Sequence, residues 1–212
     1  RVANVDDNGF TLNNALLLPQ TSQDIELGTS FVAGKNAFTT RVFQHKLTNE
    51  IFYDPVIANP SSWNGQGANV NLDPTKREGV EVEASAGLMH DLALKAVVQH
   101  VSAKFTAGPY AGREMTLVPR NTVTLRLNWS PGNGHSADIG VQWADSQRYA
   151  GDFTNACGER IPSYALLDAR YAFRRGPWEF AVTGNNLTDR DYYSQAFGSC
   201  RASASIYTDP GR

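Results

Sequence analysis

Few residues in this chain have types and spacings suited to chemistry, and each has a bland alternative. Glu81 and Glu83 share one face of an extended segment, an arrangement that serves general acid–base work. On a sheet they are also simply two hydrated charges. Asn4, Asp6, Asn8 and Gly9 begin a calcium-loop pattern, but Ala15 holds the twelfth position, where a bidentate Glu is needed. Such clusters also make ordinary turns. His45, His90, His100 and His135 show no metal-ligand spacing. No nucleophile elbow, zinc-protease histidine pair or phosphate loop occurs. The expectation is no catalytic set, no metal and no cofactor. Trp63 with Asn64 and Gln66, Tyr110 with Arg113, and Tyr149 with Arg148 and Arg160 offer aromatic faces and cationic forks. Such groups suit an anionic, aromatic metal chelate, and they are equally ordinary loop residues.

The elements that must position these groups are strands. Among 212 residues the net charge is −2 and no basic run carries interleaved aromatics, so no nucleic-acid partner is expected. No stretch of about 18 apolar residues exists, which excludes a membrane-spanning helix. The chain opens at "RVANVDDNGF" without a signal peptide, which fits a cytosolic protein or an internal piece of something longer. Period-two alternation recurs along nearly the whole chain. In "NTVTLRLNWSPGNGHSADIGVQWAD" (121–145), Val123, Leu125, Leu127 and Trp129 take one face and Thr122, Thr124, Arg126 and Asn128 the other. After Pro-Gly-Asn-Gly the pattern resumes, with Ile139, Val141 and Trp143 opposing Asp138 and Gln142. Eight strands are predicted, near 24–32, 37–53, 76–88, 92–104, 120–130, 136–149, 164–173 and 178–185. Short turns near 34–36, 89–91, 131–135 and 174–177 alternate with long links near 54–74, 105–118, 150–163 and after 186. In an up-and-down meander, one end is therefore trimmed and the other carries large loops. Cys157 and Cys200, the two cysteines, both fall at the long-loop end. A disulfide there would stabilise by about 4 kcal/mol in the chain-entropy model; the alternative is two unrelated small residues.

Two environments compete for the apolar face. In a soluble sandwich it packs on a second sheet and aromatics are scattered. In a membrane barrel it faces lipid and aromatics gather at the water boundary. Phe31, Phe38, Trp129, Tyr171, Phe173, Trp178 and Phe180 all lie near the short-turn end, while mid-strand positions are Val, Leu, Ala and Ile. The other face carries Glu81, Glu83, Arg126, Asp138, Asp168 and Arg170, which suits a hydrated lumen. The pattern favours an all-β, antiparallel, up-and-down transmembrane β-barrel.

At 185–193 the chain reads "NNLTDRDYY", directly after the strand "WEFAVTGN". This strongly resembles the C-terminal segment of TonB-dependent outer-membrane receptors, with Asn186, Leu187, Asp189 and Tyr192 matching its Asn-Leu-x-Asp-x-x-Tyr. Further stretches resemble the family in order: "LLPQTSQDIELGTSF" (17–31, with Gln20 where Glu is usual), "RVFQHKLTNEIFYDP" (41–55), "NLDPTKREGVEVE" (71–83), "LVPRNTVTLRLNW" (117–129) and "IPSYALLDARYAF" (161–173). Physically, Asn185, Asn186 and Asp189 bond backbone where a strand stops pairing, and Leu187 and Tyr192 cover apolar surface; the motif's role is structural. The resemblance implies that residues 1–212 are the C-terminal portion of a 22-stranded barrel, lacking its plug domain and final aromatic-ended strand. It also implies a receptor in the bacterial outer membrane, surrounded by outer-membrane lipid. Such a receptor imports a scarce nutrient, most often a ferric siderophore or similar metal chelate, with energy from the TonB complex. On that reading Trp63, Tyr110, Arg113, Tyr149 and Arg160 would contact ligand from external loops. A free-standing eight-stranded barrel, a soluble β-sandwich carbohydrate-binding module using Trp63 and Tyr110, and an outer-membrane barrel enzyme remain alternatives. Asn128-Trp-Ser and Asn186-Leu-Thr match glycosylation sequons, by chance in such a membrane.

Overall fold

The computed structural model describes residues 1–207. A one-turn helix α1 (Val5–Gly9) precedes twelve strands: β1 (Thr21–Ala33), β2 (Asn36–Thr48), β3 (Ile51–Ala58), β4 (Gln66–Asn71), β5 (Thr75–Gly87), β6 (Leu92–Phe105), β7 (Asn121–Trp129), β8 (His135–Ala144), β9 (Tyr164–Arg175), β10 (Trp178–Gly184), β11 (Gln195–Phe197) and β12 (Ser205–Tyr207). Eight of them form one antiparallel sheet in the order β1-β2-β5-β6-β7-β8-β9-β10. The pairs β3–β4 and β11–β12 are separate two-stranded sheets. β1 and β10 stand at the ends of the large sheet and do not pair with each other, so the wall is a partial barrel and not closed. Gly34 and Gly176 take φ of 60° and 58° at the first position of their tight turns, a backbone conformation glycine adopts without steric cost.

The register carries the two-faced pattern unbroken from strand to strand. One outward row runs Phe31–Phe38–Ala84–Ala96–Leu125–Val141–Leu167, each residue paired with the next on the neighbouring strand. The opposite parity carries Glu81, Glu83, Arg126, Asp138, Asp168 and Arg170. The apolar side has no second sheet on it: Leu27 is 73% exposed and Val182 74%. Among the described residues no helix is long and apolar enough to cross a membrane. Strands of 9 to 14 residues in β1, β2 and β5 to β9 suffice to cross when tilted.

Three boundaries differ from expectation. The strand predicted over 37–53 ends at Thr48, because Asn49 takes a left-handed φ of 56°; the chain restarts as β3. The link 54–74 holds most of the β3–β4 hairpin. The strand predicted to 149 stops at Ala144. His135 opens β8 instead of lying in the turn, with its ring 4.6 Å from that of Phe173.

Candidate ligand-binding face at the long-loop end

The long segments fold onto the polar-parity side of the sheet and make a core there. Phe43, Val101, Ala103 and Phe105, all of polar parity, meet Leu72, Phe52 and Val70 from the hairpin region, with Met115 and Phe153 from the next two links. The Phe153 ring stacks on Tyr110 at 5.4 Å and meets Phe105 and Phe52 edge-on at 5.9 and 5.8 Å. A second cluster joins Tyr149, Ile161 and Ala196, with Leu117 and Tyr193 against it. Tyr53 of the hairpin meets Phe197 at 5.8 Å. The long links thus form one cap.

Glu114 is the polar hub of this cap. Its carboxylate accepts Arg148 at 2.8 Å and Arg160 at 2.7 Å and also pairs with Arg120. Its backbone N–H donates to Asn155 and its carbonyl accepts from the same side chain. Arg148 extends the network to Asp152 at 2.8 Å, a carboxylate 2% exposed. Partial burial, with Arg148 alongside, lowers the Arg160 guanidinium below its ordinary value. Burial, then the Tyr193 hydroxyl, pushes the Tyr149 phenol well above its ordinary value. Cys157 and Cys200 are bonded, with Cα atoms 5.7 Å apart, tying the 145–163 link to the last segment. Arg113, Arg120, Arg148, Arg160, Glu114 and Asn155 line one cavity of about 550 Å³.

The aromatic candidates separate. Trp63 is 97% exposed at the tip of the β3–β4 hairpin, open to solvent with Asn64 and Gln66. Tyr149 is fully buried and offers no ring face, because loop residues Ile161, Leu117 and Tyr193 enclose it. Tyr110 has committed one ring face to Phe153. Arg148 is held by two carboxylates and Arg160 by one, and both line the cavity with Arg113. Glu114, Asp152 and Phe153 escaped sequence reasoning; the apolar run of Tyr149, Phe153 and Ile161 inside a Gly- and Asn-rich link was the available signal. The Asn4–Gly9 segment is a capped helical turn, with Asn4 Oδ1 accepting from Asp7 N and the Asp7 carboxylate accepting from Asn4 N and Arg1. Those bonds lower the Asp7 carboxyl, and among the described residues no group of metal ligands forms there.

Charges on the polar face pair across strands. Lys95 meets Glu83 at 2.7 Å, Arg41 meets Glu81 at 3.6 Å, Arg170 meets Glu179 at 2.7 Å, and Arg126 meets Asp138. Gly140 makes room for the last pair, since a Cβ there would lie 3.0 Å from the Arg126 guanidinium. Asp168 instead accepts the Asn186 N–H at 2.8 Å. Asn186 is left-handed and buried, and its side chain both accepts from and donates to the Arg190 backbone. Leu187 folds back over Gly184, where a Cβ would lie 2.6 Å from it, and its N–H donates to the Leu167 carbonyl. The Tyr192 ring lies 4.7 Å from that of Tyr164. Asp189 takes φ of 51° and donates its N–H to the Asn186 carbonyl. The motif is a turn that ends the β9–β10 ladder.

The model of the TonB-dependent receptor-like β-barrel family matches residues 2–187. This chain belongs to that family. No curated protein sequence matches it. Among solved structures, this TonB-dependent receptor barrel segment is similar to the ferric yersiniabactin uptake receptor FyuA from Yersinia pestis, with a TM-score of 0.68 at 19% identity over 91% of this chain and 28% of that one. The ferric citrate transporter FecA in its unliganded form gives 0.69 at 21% identity, over 90% of this chain and 29% of that one. The copper transporter OprC gives 0.69 at 14% identity, over 92% and 30%. The chain thus spans 28 to 30% of the length of these structures. Barrels of this family sit in the bacterial outer membrane, where strands turn an apolar face to lipid.

Proposed function

We propose that these residues form part of the wall and external cap of an outer-membrane receptor that imports a ferric siderophore or similar metal chelate, with energy from TonB. Residues 1–212 are then the C-terminal portion of its barrel domain, and the plug domain and final strand lie outside them. Two features support the fragment reading: the unpaired edges of β1 and β10, and the share of the matched structures that the chain spans. An unpaired strand edge is untenable in lipid, so neighbouring strands must continue the wall on both sides. The polar-face charges then line a hydrated lumen or meet the plug.

The observation that carries the cargo reading is the cation-rich cap. Arg113, Arg120, Arg148 and Arg160 converge on one cavity around a single central carboxylate, Glu114, and the indole of Trp63 stands exposed at the tip of the β3–β4 hairpin. Guanidinium forks bind carboxylates and catecholates, and the indole face binds flat aromatic or cationic groups. The receptor does no covalent chemistry on its cargo. A carbohydrate-binding sandwich is not favoured, because no second sheet covers the apolar face.

The test is growth of a strain lacking the complete receptor on a panel of ferric chelates, each as sole iron source, paired with uptake of the radiolabelled complex. Loss of growth on at least one chelate, restored by the wild-type gene and only with intact TonB, is the expected result. Trp63→Ala with Arg113→Ala should weaken binding of that chelate about tenfold, the order of two exposed contacts. Unchanged growth on every iron source, or uptake without TonB, overturns the reading.

A further inference from the structure

We infer that the outward face carries a docking site for phosphorylated lipid headgroups just below the cap. It is built from Lys46, Lys76 and Lys104 on three adjacent strands. Lys46 of β2 is directly opposite Lys76 of β5, and Lys76 is directly opposite Lys104 of β6; Gln23 of β1 extends the row. All four have the parity of the apolar face. Two rows toward the short-turn end stand Leu27, Val42 and Val80, paired in the same way. Between them lies a row of Gln44, Glu78 and Ser102, with Ile25 at its β1 end.

The geometry sets the depth. Four residues along a strand are about 13 Å, or roughly 9 Å of height at the usual tilt. The ammonium groups therefore stand above the Leu27–Val42–Val80 row, at headgroup level, with aliphatic stems against the sheet. Neighbouring strands lie about 4.8 Å apart, a spacing that lets one phosphate meet two lysines.

The second observation is energetic. Like charges directly opposite on neighbouring strands destabilise a sheet; on the polar face, where Lys95 stands opposite Arg126, each cation has its own carboxylate, Glu83 and Asp138. Here three cations sit abreast. Only Lys76 has a carboxylate, Glu78 at 3.0 Å, and Glu78 also takes the Gln44 amide at 2.6 Å. Among the described residues, Lys46 and Lys104 are in no ion pair. A cleft of about 430 Å³ opens beside the row, bordered by Thr21, Gln23, Lys46, Thr48, Lys76 and Thr106. Its hydroxyl and amide groups suit phosphate oxygens. An anion supplied by the surrounding leaflet removes the repulsion and fixes the barrel's height in the membrane.

The site rests on the outer-membrane placement proposed above but not on the cargo. The complete receptor is purified in detergent and titrated with lipid A, a phosphorylated glycolipid, in phosphatidylcholine nanodiscs, with retained lipid counted by native mass spectrometry. Replacing all three lysines by Gln should weaken lipid A binding about tenfold or more at low salt. The triple Arg variant should retain binding, and Lys35→Gln, a charge removed at the opposite boundary, should leave it unchanged. Equal retention by the wild type and the Gln variant, both correctly folded by heat-modified mobility, overturns the site. So does inorganic pyrophosphate that binds this face as tightly as lipid A, because the ligand would then be a soluble anion. Chelate uptake by the wild type reports on the proposed function separately, because Lys104 also borders the cavity of Arg113 and Arg160: a wild type that imports the chelate but does not retain lipid A loses this inference alone.

Discussion

The wall and the cap share one chain but use opposite means of stabilisation. In the wall, alternation gives every strand one apolar and one charged side, and its large apolar side chains remain exposed within the protein; Ala172 is the wall's exception among the fully covered apolar residues away from the cap. In the cap, Phe105, Met115, Tyr149, Phe153 and Ile161 are all 3% exposed or less. A water-soluble protein spends its apolar surface on its own core; in the outer-membrane placement proposed above, this wall leaves that surface for lipid, and the cap, which would stand in water, cannot. The contrast explains why the cap needs a disulfide and an arginine–carboxylate hub while the wall shows only cross-strand ladders and surface ion pairs.

Phe153→Ala should separate the two regions most sharply. Its ring joins three of the long links through Phe52, Phe105 and Tyr110, and truncating a buried Phe costs about 3–5 kcal/mol. The loss should be confined to the cap. Hydrogen exchange and limited proteolysis of 50–72, 106–120 and 145–163 should accelerate strongly, while β5 to β9 keep their protection in detergent. Acceleration throughout the wall would show that the two regions unfold as one unit.

Two adjacent residues of β8 probe the wall itself. Val141 has apolar parity and Gln142 polar parity. Val141→Arg should cost about 2–4 kcal/mol in a bilayer, the usual penalty for a cation near the midplane on the lipid side. Gln142→Arg should stay within about 0.5 kcal/mol, as for a hydrated surface position. Reversible urea unfolding in lipid vesicles measures both. Equal costs would mean that the apolar rows do not face hydrocarbon.

The same contrast governs what was legible in the sequence. Period two is a local signal, so all eight wall strands were readable, and so was the clustering of aromatics at the short-turn end. The cap is held by contacts distant in sequence. Glu114 finds Arg148 and Arg160 at separations of 34 and 46 residues, and no spacing rule announces such a hub. Tyr149 looked like an available ring because Gly151, Asn155 and Gly158 follow it with turn composition; Ile161, Leu117 and Tyr193, distant or separated in sequence, enclose it. The β3–β4 hairpin was hidden because the 54–74 link is rich in Gly, Pro, Asn and Ser, a loop composition. The actual break, at Asn49, lies outside that run.

The hairpin also supplies the smallest test. Asp54 accepts the N–H groups of Val56 and Ile57 on one oxygen, at 2.9 and 3.2 Å, and so bends the strand around Pro55, where the register with β4 shifts. Burial raises its carboxyl above the ordinary value, and the two N–H bonds only partly offset this. The folded hairpin therefore holds the proton more tightly than the unfolded chain does. Acidification should stabilise it: the gain begins as pH falls through the raised folded-state value and is complete below the unfolded one. Asp54→Asn keeps an acceptor oxygen and removes the charge, so local stability at neutral pH should rise by about 1 kcal/mol or less. The pH dependence of amide exchange in 51–58, referenced to the intrinsic rate, should then flatten. The wall strands, whose charges are matched across the polar face, should show no corresponding change in either protein. A hairpin that loosens on acidification would mean that the N–H bonds, and not burial, dominate at Asp54.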